Sequence, residues 1–118
     1  IDITELDNAV ASFITQKPGN TLPFHRDTFI DYKLRNNLDP KNDKVVRYMI
    51  FMENWQPGHI FLVEDEPIIN WKKGDMIYWG SKYHVGSNAG KVAKTTLNIT
   101  GIVKKNGLHF RNNPNLYL

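Results

Sequence analysis

Short apolar runs rich in β-branched and aromatic residues recur along the chain, and turn signals separate them at short intervals. VVRYMIFM (45–52), HIFLV (59–63), PIINW (67–71), DMIYW (75–79) and TTLNITGIV (95–103) have the composition of strands. KPGN (17–20), NNLDPKND (36–43), NWQPGH (54–59), EDEP (64–67), WKKGD (71–75) and KNG (105–107) interrupt them, and Asn106-Gly107 suits a tight hairpin. Helical periodicity is weak. ITELDNAVASFI (3–14) fits either a helix capped at Thr4 or a strand, and TFIDYKLRNNL (28–38) is expected to hold one helical turn. Many short strands with little helix predict a mostly all-β sandwich or barrel.

One strand carries more information than the rest. In KTTLNITGIV, Lys94, Thr96, Asn98 and Thr100 are polar, whereas Thr95, Leu97, Ile99 and Val103 are mostly apolar. A period of two makes these the two faces of one strand. The commoner arrangement for an antiparallel sheet turns the polar face to water. The other arrangement turns it into a polar cavity, and the function depends on which holds.

Composition narrows the classes. A chain of 118 residues is one domain with one core, here 1–118, and 41% hydrophobic residues mark it as globular. It has no cysteine, which excludes disulfides, thiolate metal sites and a thiol nucleophile. The formal net charge of +3 is spread over scattered turns, favouring a solvated surface over a nucleic-acid stripe. No apolar run approaches the roughly 20 residues that span a bilayer. The opening IDITELDNAV is acidic where a secretory leader is basic, so a cytoplasmic location is the expectation.

Candidate chemistry begins at LPFHRDTF (22–29), where His25 and Asp27 stand two apart. On an extended strand, residues two apart share a side and both reach one ion. A third ligand must come from elsewhere. His84, in the Gly-rich GDMIYWGSKYHVGSNAG (74–90), is the first choice, His59 the next and His109 the last. Two imidazoles and a carboxylate compose a facial triad that suits Fe(II) and leaves open positions. Lys94 follows His84 by ten residues, with Thr96 on the same face. A lysine turned into a barrel calls for an anion. A dicarboxylate such as 2-oxoglutarate would chelate the metal at its ketoacid end and meet Lys94 and the Thr96 hydroxyl at the other.

H-x-D, a distal histidine, and a basic residue about ten further on followed by a hydroxyl residue resemble the signature of the Fe(II)/2-oxoglutarate-dependent dioxygenases. Lysine at the basic position is similar to the prolyl 4-hydroxylase branch. The string RYMIFMENWQPGHIFLVEDEPIINWKKGDMIYWGSKYHVGSNAG (47–90) is similar to short oxygenases of marine bacteria and their phages. The resemblance spans residues 17–103. It implies a double-stranded β-helix, or jelly-roll, with His25, Asp27 and His84 on the metal and Lys94 and Thr96 on 2-oxoglutarate. It also implies O2 as oxidant and a small-molecule or peptide substrate. So little helix to buttress a barrel makes a homo-oligomer an expectation.

Arg47 interrupts an apolar run. It either snorkels at the rim or points inward with Met49 and Phe51 to contact the co-substrate or the acid group of a substrate. Lys91 follows Gly90 in a turn and should be solvated. Asn88, four after His84, reads as a turn residue before it reads as one that orients that loop or touches a metal-bound ligand, and Trp55 and Trp79 read as packing. Asn98-Ile-Thr100 matches a glycan acceptor without other signs of secretion. The rival reading is a cupin-like metal-binding protein or isomerase, for which His84 and Asn88 loosely match one motif while the His-rich first motif is absent.

Overall fold

The computed structural model of the chain describes residues 6–104. Its elements run β1 (Asp7–Gln16), β2 (Thr21–His25), α1 (Ile30–Arg35), β3 (Asp43–Phe51), β4 (His59–Val63), β5 (Glu66–Pro67), β6 (Met76–Ile77), β7 (His84–Asn88) and β8 (Lys94–Lys104). Two antiparallel sheets form, with strand orders β1-β8-β3-β6 and β2-β7-β4-β5. The chain is a jelly-roll of nearly all-β content. The start resolves to a strand over its described part, and TFIDYKLRNNL supplies the six residues of α1. The Asn106-Gly107 hairpin, Thr4 and His109 lie outside the described residues. No helix among the described residues is long and apolar enough to cross a membrane.

Strand β3 explains its own run of apolar residues. It pairs with β8 so that Arg47, Met49 and Phe51 lie opposite Thr100, Asn98 and Thr96, while Tyr48 and Ile50 lie opposite Ile99 and Leu97. Both faces are covered. On one, Tyr48, Val46, Ile99 and Val103 pack with Leu6. On the other, Met49 and Phe51 reach Phe61 of β4 and the loop residues Trp71 and Trp79, joining the two sheets. Phe51 and Trp71 stack with centroids 3.9 Å apart, and Phe51 meets Phe61 edge-on at 6.3 Å.

PIINW and DMIYW turn out to be mostly loop, touched only by the two-residue strands β5 and β6. Their bulky side chains fill the barrel instead of extending a ladder: Trp71 and Trp79 are buried, and Ile68 and Ile77 pack against them. The polar face of β8 is buried throughout, Lys94 at 3%, Thr96 at 6%, Asn98 at 9% and Thr100 at 4% exposed. The strand therefore turns its polar face inward. That burial also removes Asn98 as a glycan acceptor.

Candidate metal centre

His25 ends β2 and His84 begins β7, and the two are register partners across that pair. The register slips between Leu22 and His25. Without the slip Phe24 would stand opposite His84; the bulge turns His25 toward it instead, as bulges beside functional sites do. The imidazole centroids lie 4.3 Å apart. Phe24 and Tyr83, their exposed chain neighbours, stack on each other at 5.3 Å. Asp27 lies past the end of β2, so the loop and not the strand period brings its carboxylate back.

The three side chains converge. Asp27 Oδ1 is 3.4 Å from His25 Nε2 and 3.7 Å from His84 Nε2, and the candidate ligand atoms all lie within 4.8 Å of one another. Neighbouring ligands about 2.1 Å from an octahedral ion stand about 3 Å apart, so a small inward movement would close on a metal. Each ring is fixed the same way. His25 Nδ1–H donates to Pro23 O at 2.7 Å, and His84 Nδ1–H donates to Lys82 O at 3.1 Å. A backbone carbonyl two residues upstream thus sets each tautomer and leaves the Nε2 lone pair facing Asp27.

Burial is the main cause that lowers the His84 pKa below its ordinary value, opposed by the Lys82 carbonyl and Asp27 and assisted by His25 and Arg47. A neutral ring is the form that ligates a metal. Asp27 Oδ2 is buried with no hydrogen-bond partner among the described residues. Two lone pairs and a carboxylate are thus aimed at one point. The donor set fits a divalent ion with nitrogen and oxygen preference.

Lys94 faces the barrel interior, where its ammonium donates to Gln16 Oε1 at 3.0 Å and to Ile60 O at 3.1 Å. It also lies 5.5 Å from the Phe61 ring centre and 5.9 Å from that of Trp71. Both of these hydrogen-bond acceptors are neutral oxygens. Burial pushes its pKa down from 10.5 to about 8, only partly offset by Glu53. A methyl group on Gly86 would sit 3.4 Å from Lys94 Nζ. Gly86 is two residues along β7 from His84, or about 7 Å of strand. Thr96 shares the buried face of β8 with Lys94.

The linkage sign follows from that depressed value. Between pH 8 and 10.5 the unfolded chain holds the proton that folded Lys94 has lost, so this residue's contribution to stability rises with pH. Wild type should gain about 1 kcal/mol on a Lys94→Met variant between about pH 8 and 9, measured by urea unfolding. A constant difference would mean that the ammonium is not desolvated.

Arg47 points inward at the rim. Its Nε donates to Thr100 Oγ1 at 2.9 Å, and Nη1 lies 3.6 Å from Asp27 Oδ1. His59 is buried at the other end of β4, opposite Asn88, with Nε2 2.8 Å from Val92 O. It is four strand positions from Val63, the partner of His84, and does not join the triad. Asn88 belongs to β7 and is no turn residue: its Nδ2 donates to Gln16 O and Val92 O, and its Oδ1 accepts from Gly90 N. Lys91 is exposed. Trp79 is core, and Trp55 packs beside it. Gln16 escaped the sequence reading. It is the register partner of Lys94 across β1 and β8, a pairing no local pattern reveals.

No family model and no curated protein matches the sequence. Solved structures do match the fold. A predicted oxalate decarboxylase from Thermotoga maritima aligns with a TM-score of 0.54 at 12% identity, over 80% of this chain and 66% of its own. A cupin 2 conserved barrel domain protein from Salinispora arenicola aligns at 0.52 and 12% identity, over 86% and 69%. A viral collagen prolyl hydroxylase of Paramecium bursaria Chlorella virus-1, in a 2OG complex, aligns at 0.53 and 16% identity, over 84% and 61%. The chain thus has the cupin-type jelly-roll architecture and spans roughly two thirds of the length of these structures.

Proposed function

We propose that the chain is an Fe(II)- and 2-oxoglutarate-dependent oxygenase that hydroxylates a small-molecule or peptide substrate. His25, Asp27 and His84 would hold the metal, and Lys94 with Thr96 the distal carboxylate of 2-oxoglutarate. Bound there, Fe(II) with 2-oxoglutarate and O2 supplies oxidative decarboxylation to succinate and CO2, coupled to hydroxylation of a C–H bond. The observation that carries this reading is Lys94. A buried ammonium whose hydrogen bonds go to neutral oxygens and which lies over ring faces, beside Gly86 two residues along β7 from His84, is a seat for an anion. Gln16 would have to yield the ammonium to the incoming carboxylate. The aromatic wall of Phe51, Phe61 and Trp71 would keep water from the pair, which strengthens a charge-assisted hydrogen bond.

A cupin-like metal-binding protein is the second reading, favoured by the cupin structures that share the fold. Metal ligation alone would satisfy the triad in both cases; only the oxygenase needs 2-oxoglutarate. Anaerobic titration of the Fe(II)-loaded protein with 2-oxoglutarate separates them. The expected result is a weak visible charge-transfer band that saturates with 2-oxoglutarate and is absent without iron. Iron binding with no spectral response to 2-oxoglutarate would leave the cupin reading standing.

A further inference from the structure

A cleft of about 440 Å³ opens beside the triad, and Asp27, Arg47 and Lys33 of α1 are among the residues that line it. Four of its fifteen lining residues are Lys or Arg, against 15 of 118 in the whole chain. Positive charge is thus about twice as dense here as elsewhere on a protein whose overall charge is modest. The two acids of the lining are both engaged: Asp27 faces the metal point, and Asp43 Oδ2 accepts the Asp39 N–H at 3.0 Å. A divalent ion would make the wall more positive still.

Arg47 is built in, and this gives the cleft its chemistry. Thr100 Oγ1 accepts from Nε at 2.9 Å, Asp27 Oδ1 forms a longer ion pair with Nη1 at 3.6 Å, and the Phe29 ring lies 4.9 Å from Cζ. Phe29 holds φ at 56°, a left-handed conformation that is strained for a bulky residue, and so reaches this position. These three contacts hold the guanidinium at the edge of the cleft that it lines. Lys33, also in the lining, is exposed. A held guanidinium fork and an exposed ammonium lining one cavity recognise an oxyanion.

We infer that the cleft takes a substrate bearing a carboxylate or phosphate, held by Arg47 and Lys33 so that a neighbouring C–H bond lies beside the metal point. Calling the occupant a substrate rests on the oxygenase reading; the anion site itself does not. The test therefore uses metal-free protein, in which no anion can bind by ligating a metal, and omits 2-oxoglutarate. Phenyl phosphate, benzoate and neutral benzamide are titrated by saturation-transfer NMR. At least one anion should bind about tenfold or more tightly than benzamide, the gain expected of one charge-assisted contact. Whichever anion binds more tightly names phosphate or carboxylate as the group. Arg47→Gln should weaken it about tenfold and Lys33→Gln about threefold, as for one inner and one exposed cation. Benzamide binding as tightly as both anions overturns the inference, as does unchanged anion affinity in both variants. Should Arg47→Gln fail to fold, the exposed Lys33→Gln decides alone. Anion binding with these losses, alongside no metal-dependent 2-oxoglutarate response, would overturn the oxygenase reading and keep the anion site.

Discussion

Asp27→Ala should abolish Fe(II)-dependent succinate formation and leave the barrel folded. Asp27 is the only carboxylate of the triad, and its charge is what favours a divalent ion over a proton at that point. Without it, two neutral imidazoles are left to hold the metal while competing with water, and bound iron should be lost with activity. The fold has little to lose. Asp27 lies past the end of β2, its Oδ2 has no hydrogen-bond partner among the described residues, and its contacts to His25, His84 and Arg47 are long. Removing a buried carboxylate with an unsatisfied oxygen should cost the metal-free protein no more than about 1 kcal/mol. Metal content by elemental analysis, succinate release and the urea midpoint measure the three claims separately. Turnover equal to wild type would remove Asp27 from the mechanism, whereas an unfolded variant would mean that the loop supports the barrel.

The strength of that expectation depends on how the site is built, and only part of it was legible in the sequence. The alternation along β8 was readable because side-chain direction on a strand is local, and the chain buries the polar face as one of its two allowed choices. The His25–Asp27 pair was readable as residue types, but for a partly wrong geometric reason. The bulge between Leu22 and His25 aims the ring, and a turn of chain beyond the strand brings Asp27 back. His84 looked like a turn residue because glycines surround it. Gly86 instead lies within β7, where the missing side chain leaves room for Lys94 Nζ. The strand nature of the opening segment was hidden because nine of the ten residues of β1 are exposed and so show no buried stripe. Gln16 and Lys94, 78 residues apart, meet only through the β1–β8 pairing, which no local period encodes. What the sequence lacked was register.

Lys94→Ala tests that register and the chemistry together. An ammonium paired with a carboxylate inside a barrel contributes roughly 2–5 kcal/mol to binding when one partner is removed. Since every 1.4 kcal/mol is a factor of ten, the 2-oxoglutarate requirement should rise about 30-fold or more. Iron affinity should change little, because Lys94 lies outside the triad. The protein should stay folded, since the substitution removes a charge that burial already holds to a pKa of about 8. The same value makes a second comparison available. As pH climbs through about 8 the ammonium of the unliganded wild type disappears, so its 2-oxoglutarate requirement should climb too, while that of Lys94→Ala stays flat. Lys91→Ala is the control: it removes the same charge three residues earlier, from an exposed position in the turn, and should do almost nothing. Equal effects from the two lysines would mean that general electrostatics attract the acid. A silent Lys94 beside a sensitive Lys91 would place the co-substrate outside the barrel and remove the observation on which the oxygenase reading stands.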